Sequence, residues 1–193
     1  MKLFFFAATL LVIFSVSSVH SFDFTTKTKN DFPTLSKFKD VDAFEHHYLE
    51  YIQTCLDNTG GGTGGIPCLI GYEMWDRELN IYYKELHGKL DNVGKNALRQ
   101  SQIAWLKERD LSIKFNSILL DGKYQEKQGT MYSLMRAGDA DKMMVPIIKQ
   151  RALYLKNASI ILTPVEGLPV DTAELQHRAQ ELLTGHHADE KLQ

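Results

Sequence analysis

The sequence predicts an all-α protein, a small helical bundle built on an antiparallel helical hairpin. Three observations predict it. Apolar side chains recur at steps of three and four along successive segments, as one face of a helix requires. No segment reads as a strand, and there is no internal repeat. The segments are separated by breaks rich in glycine, proline and Asx residues, several of them short enough to return one helix beside its predecessor.

At the N-terminus Lys2 precedes an apolar run over residues 3–16, which fades into Ser17-Ser18-Val19-His20-Ser21. A short charged region, an apolar stretch and small residues at the −3 and −1 positions form a secretory signal, with cleavage expected after Ser21. The run is too short to span a bilayer comfortably, which takes about 20 apolar residues. Cleavage removes Lys2 and no acid, so 22 basic side chains become 21 against 24 acidic ones, a net charge of −3. That balance excludes nucleic acid as the expected partner, because phosphate binding needs a basic surface. The expected product is secreted or periplasmic, soluble, and without stable membrane insertion once the signal is cleaved.

Residues 22–40 contain several Thr and Lys and one proline, Pro33, and show no sustained apolar period. They are expected to form a flexible leader. Residues 41–162 are the helical domain. Val41, Phe44, Tyr48, Tyr51, Ile52 and Cys55 place a first helix over 41–56, which Gly60-Gly61-Gly62-Thr63-Gly64-Gly65 breaks as a flexible connector. Pro67 suits the first turn of a second helix reaching to about residue 90. A turn at residues 91–94 leads to a third helix running towards Leu120. Residues 121–128 are expected to be an exposed, mobile loop. Thr130 is read as the cap of a short helix that Gly138 ends, and a further helix covers 139–162, with Pro146 kinking it or marking its true start. Residues 163–193 supply a loop, a helix that Asp171 and Glu174 open by a capping-box spacing and Gly185 closes, and a tail.

Cys55 and Cys68 flank the glycine-rich segment. In an exported chain they are expected to form a disulfide, worth about 3 kcal/mol by the chain-entropy account. No metal site and no cofactor are expected. His46-His47 and His186-His187 are adjacent pairs whose side chains diverge on a helix, and no second cysteine pair accompanies Cys55 and Cys68. The glycine run lacks the Lys-Ser/Thr ending of a phosphate loop, and no His-Glu-x-x-His helix or Gly-x-Ser-x-Gly elbow is present, so the chain is read as a non-enzyme. Asn157-Ala158-Ser159 fits a glycosylation sequon but falls in an expected helix.

The most specific signal is a pair of polar stripes. Asp76, Asn80 and Tyr83 share one face of the second helix, and Gln102, Trp105 and Arg109 share one face of the third. A fold-back centred on Asn92-Val93 sets residues whose numbers sum to 185 at equal height, because the rise per residue is common to both helices. Asp76 is then expected near Arg109, Asn80 near Trp105 and Tyr83 near Gln102. Such a set makes either a binding pocket or a satisfied polar network that fixes helix register.

These residues carry a resemblance. Cys68, the run Asp76-Arg77-Glu78-Leu79-Asn80 with Tyr83, and the block from Leu98 through Gln102 and Trp105 to Arg109-Asp110 resemble the lysozyme inhibitor LprI-like family of bacterial envelope proteins. Gly129-Thr130-Met131 and the Arg151-centred Gln150-Arg151-Ala152-Leu153-Tyr154-Leu155 are similar to its closing elements. Many members carry another cysteine after the Arg-Asp pair and a partner in the last family helix, where this chain has Ile113 and Met143-Met144. The resemblance implies an envelope protein that binds and inhibits a lysozyme, protecting peptidoglycan. The signature residues Asp76, Leu79, Asn80, Tyr83, Leu98, Gln102, Trp105, Arg109, Asp110 and Arg151 are expected to be structural. Inhibitory contacts are sought in the expected loop, at Lys123, Tyr124 and Lys127, because ammonium and phenol groups can satisfy the carboxyls of a glycosidase cleft. The competing reading is a helical envelope protein with a ligand-binding, assembly or unrecognised enzymatic role and no lysozyme contact.

Overall fold

The structure is a computed structural model describing residues 25–162 together with positions 173, 177 and 180. The expected signal peptide lies outside the described residues. So do the C-terminal loop, helix and tail, except that Ala173, His177 and Gln180 are helical and exposed.

The fold is all-α, with no strand among the described residues. Helix α1 spans Val41–Asn58, α2 Gly71–Lys89, α3 Asn92–Tyr124 and α4 Thr130–Ile161, with 3-10 turns at Lys29–Asp31, Leu35–Lys37 and Gly62–Cys68. Asp40 caps α1 by accepting from the Ala43 N–H at 2.7 Å, and Asp91 caps α3 by accepting from Gly94 at 2.8 Å. Both satisfy an N-terminal donor that the helix itself leaves unpaired.

The expected hairpin is present in sequence order, but α2 packs principally against α4 rather than α3. The reason is a match of seams. Trp75, Leu79, Tyr82 and Leu86 on α2 and Ile148, Ala152, Leu155 and Ser159 on α4 are spaced four, three and four apart, and all eight are buried. The small Ala152 and Ser159 let the helices approach closely. At the centre Trp75 is fully buried, its indole N–H donating to the Tyr48 hydroxyl at 3.1 Å and its ring meeting Phe44 edge-on. Burial there raises the Tyr48 phenol above its ordinary range.

Several expectations are corrected. Residues 25–40 are a strap laid on the bundle: Phe32 and Leu35 are buried, and Phe32 and Phe38 meet His47. The Arg77 guanidinium donates to the carbonyls of Lys29, Phe32 and Pro33 while its Nε and Nη2 hold Glu78 Oε1. Arg77 thus compensates a fully buried carboxylate and fastens the strap with one side chain. The glycine-rich segment is likewise packed. Gly62 has φ +60°, and a Cβ there would stand 2.6 Å from Thr130 Oγ1, so glycine is required for the approach of α4. Pro67 sits inside that 3-10 turn and not in α2.

Residues 130–161 form one helix, with Gly138 and Pro146 in its interior. Gly129, at φ +103°, takes the cap position, and Thr130 is the first helical residue. Tertiary contact along both ends of α4 outweighs the local cost of the two breakers. Finally, α3 continues through Tyr124, so the expected mobile loop shrinks to a short link before α4.

The disulfide is formed. Cys55 and Cys68 stand 5.6 Å apart at Cα, and the bridge ties the last turn of α1 to the end of the 3-10 turn that precedes α2.

Candidate functional site

The signature residues come from three helices and gather along one side of the bundle, but not in the expected pairs. Arg109 donates through Nε and Nη2 to Asp110 Oδ1 at 3.0 and 2.7 Å, lies over the Trp105 ring at 5.6 Å, and neighbours the Tyr72 hydroxyl. Burial raises the Tyr72 phenol, and Arg109 partly offsets that rise. Asp76 pairs instead with Lys29 at 3.8 Å and accepts from Asn80 Nδ2 at 3.2 Å. Asp76 remains close enough for its charge to act on Arg109, as expected, but it forms no ion pair with it, and the direct partner of Arg109 on α2 is Tyr72. With α2 ending at Lys89 and α3 beginning at Asn92, the fold-back is centred on Leu90-Asp91. A shift of two residues in the centre moves the pairing by four, one helical turn.

Gln102 makes no hydrogen bond with Tyr83, and Asn80 bonds Asp76 on its own helix rather than Trp105. Gln102 accepts from Arg151 Nε at 3.0 Å, and Arg151 Nη2 donates to Ser101 at 3.1 Å. The same guanidinium lies over Trp105 at 5.8 Å and Tyr154 at 5.3 Å. Trp105 is thus flanked by two arginines from different helices, an arrangement worth up to about 2 kcal/mol per pair when desolvated. Leu79 and Leu98 are buried in the core, and Tyr83 stacks on His87. These contacts hold α3 against α4 and leave the cluster little unsatisfied polarity with which to bind anything else.

The opposite end, where α3 turns into α4, is different. Lys123 Nζ and Tyr124 Oη both donate to Asp139 Oδ2, at 2.5 and 2.7 Å, and Arg136 Nη2 donates to Asp121 at 2.5 Å. Those two donors hold the Asp139 carboxyl below the usual range, and Asp139 in turn raises the Lys123 ammonium. Lys127 lies over the Tyr132 ring at 5.8 Å. Between the helix ends is an open cleft of about 350 Å³, lined among others by Tyr124, Lys127, Tyr132 and Arg136. Of the three residues sought as inhibitory contacts, Tyr124 and Lys127 line this cleft. Lys123 is beside it on α3. Tyr132, Arg136 and Asp139 were missed, although their spacing of four and three marks one helix face.

Among the described residues no three His, Cys, Asp or Glu side chains converge as a metal site. His46 pairs with Glu50 at 3.2 Å, and His186 and His187 lie outside the described residues. No helix among the described residues is long and apolar enough to cross a membrane. Asn157 is exposed within α4 and Ser159 is buried, so the sequon triplet is helical.

Residues 68–155 match the family model described as Lysozyme inhibitor LprI. The match begins at Cys68 and ends at Leu155, so it spans α2, α3 and most of α4, the elements that carry both the arginine-tryptophan cluster and the hairpin tip. The strap and α1 lie outside it. No curated protein and no solved structure matches the chain.

Proposed function

We propose that this chain is an exported protein that binds a lysozyme and inhibits it stoichiometrically, with no turnover of its own. The match of residues 68–155 to the lysozyme inhibitor LprI model carries the reading. The Cys55 to Cys68 disulfide supports export to an oxidising compartment, periplasmic or extracellular, and the mature chain is proposed to begin at Phe22. Intact mass of the exported protein tests that start point.

A lysozyme cleaves glycan in a cleft flanked by two carboxyl groups. An inhibitor must fill that cleft and replace the water around both carboxyls with donors of its own. The hairpin tip carries such donors around an open cleft: Lys127 and Lys123 as ammonium groups, Tyr124 and Tyr132 as phenols, and the Arg136 guanidinium. Lys127 leads the set, because its charge is held over a ring rather than by a carboxylate. Lys123 and Tyr124 would exchange Asp139 for a lysozyme carboxylate. The acidic balance of the remaining surface favours encounter with a cationic enzyme without supplying the affinity.

The test is titration of several lysozyme classes with the purified chain at physiological salt, repeated with Lys123, Tyr124 and Lys127 replaced by Ala. Stoichiometric inhibition of at least one class, lost in the triple variant, is expected. No inhibition of any class would reject the function, and full inhibition by the triple variant would reject only the tip.

A further inference from the structure

Helix α3 has a second apolar face that the fold does not use. Leu98 and Leu120 are buried, and Asn116 meets Met144 of α4, which defines the inner side. On the outer side Leu111, Phe115 and Ile118 are 60%, 60% and 61% exposed. They are spaced four and three apart, and Ala104, Glu108 and Gly122 continue the same alternation, which is the heptad seam of a coiled coil. Single exposed apolar residues are ordinary, but three large ones in line mark a contact surface.

We propose that a second copy of this chain docks along this seam, the two α3 helices antiparallel, with Phe115 of each packed against Ile118 of the other. The seam is complementary to itself in that arrangement. In an antiparallel pair, alternate seam positions face each other across the two-fold axis. Setting Phe115 opposite Ile118 sets Leu111 opposite Gly122, and a Cβ on Gly122 would meet nothing within 4 Å, so its outer side is open to receive the leucine. The same register brings Lys114 beside Asp121 of the other copy, twice by symmetry. Lys114 is exposed and makes no ion pair among the described residues, and the Asp121 side chain remains 64% exposed beside Arg136. A parallel pair would instead put Glu108 against Glu108 within the seam, a like-charge contact that favours the antiparallel choice. The seam is short for a specific interface, so association should depend on concentration. It runs along the side of α3 and reaches the hairpin tip at Asp121 and Gly122, so dimerisation would cover one edge of the tip cleft.

Sedimentation equilibrium of the full chain, disulfide intact, from micromolar to near-millimolar concentration tests this. A monomer–dimer equilibrium is expected. Phe115→Ser should abolish the dimer without lowering the thermal midpoint at dilute, monomeric concentration, because the ring is exposed in the single copy. Lys114→Asp should weaken the dimer about tenfold, since two exposed ion pairs become repulsions, and adding Asp121→Lys should restore it. Leu111→Cys with Gly122→Cys should cross-link on oxidation, and Leu111→Cys alone should not. A monomer at every concentration, a dimer indifferent to Phe115→Ser, or equal cross-linking by Leu111→Cys alone would overturn the proposal. So would a lower midpoint of dilute Phe115→Ser, which would assign the seam to the chain's own packing.

Discussion

The two ends of α3 have the same kind of sequence and different surroundings. Around Trp105 the helix is held by Arg109 and Arg151, and the neighbouring α2 and α4 seams are closed by the core. Beyond Asp110 it runs past the start of α2, and among the described residues its principal neighbour there is α4, so Leu111, Phe115 and Ile118 face outward. Apolar periodicity is present in both regions, but in the first it is matched by a partner within the chain and in the second it is not. A stripe at helical spacing therefore says that a helix has a face to cover, not what covers it. The signature residues reflect the same division, since most of them gather where α3 is covered.

Substitutions should separate the regions sharply. Trp75→Ala is expected to cost about 3–5 kcal/mol, the range for emptying a large aromatic site in a packed core, against a change within about 0.5 kcal/mol for an exposed surface substitution such as Phe115→Ala in the monomer. Urea denaturation of both variants measures the contrast, and equal losses would erase it.

Arg77→Ala should be almost as severe as Trp75→Ala. It leaves the fully buried Glu78 without its ion partner and frees three strap carbonyls, and breaking a buried pair in this way costs about 3–5 kcal/mol. Glu78→Gln added to Arg77→Ala should recover part of the loss by removing the uncompensated charge. Hydrogen exchange at residues 27–38 should rise in both variants if the strap is released. Replacing Cys55 and Cys68 by Ser should cost about 3 kcal/mol, read as a shift in the urea midpoint.

Asp141 offers a smaller and pH-dependent test. It projects from α4 and accepts from the Tyr72 N–H at 2.9 Å, capping α2 from a different helix. Its other oxygen would lie 2.7 Å from a Cβ on Gly71, so the glycine there makes room for the cap. Burial raises the Asp141 carboxyl above its ordinary value of 3.8, the Tyr72 hydrogen bond partly opposing it. Because the folded value is the higher one, the stability linked to this proton is fully present below 3.8 and is lost as pH rises through the folded value. Asp141→Ala should cost about 1 kcal/mol at neutral pH by losing the cap. Asp141→Asn keeps an acceptor for Tyr72 and removes the ionic penalty. Its stability relative to the parent chain should therefore increase as pH rises from 3 to 7, and a flat difference across that range would contradict the assignment.

The smallest effect belongs to the hairpin tip. Asp139 has a lowered carboxyl, so its contribution is present above 3.8 and lost as pH falls through the lower folded value. Asp139→Asn should leave the thermal midpoint at neutral pH nearly unchanged, because the group is solvent-screened. Local hydrogen exchange at residues 123–127 should nonetheless increase.

Much of the fold could be read from residue patterns, and the errors have physical causes. The start of α1 at Val41 and its capping by Asp40 follow local rules that operate within one turn. The strap gives no periodic signal because Phe32, Leu35 and Phe38 are carried by two separate 3-10 turns joined through extended residues, too short to show an amphipathic face. Gly138 is expected to end a helix and Pro146 to kink one or mark its start; both lie inside α4, because their cost is local whereas the contacts that hold α4 are not. The polarity of residues 121–128 predicts a loop at the tip. Asp121 and Lys123 are polar, yet they extend the helix and reach Arg136 and Asp139 on α4.

The sequence by itself determined the all-α class, the cysteine pair and the signature block, because each depends on residue type and spacing along one chain. Only the tertiary structure decided that α2 would match its seam to α4, that Arg109 would meet Tyr72 one turn from Asp76, and that Arg151 would take Gln102 and share Trp105 with Arg109. Those outcomes depend on where two helices separated by tens of residues come to rest. A displacement of two residues at one turn is enough to exchange every partner along the hairpin.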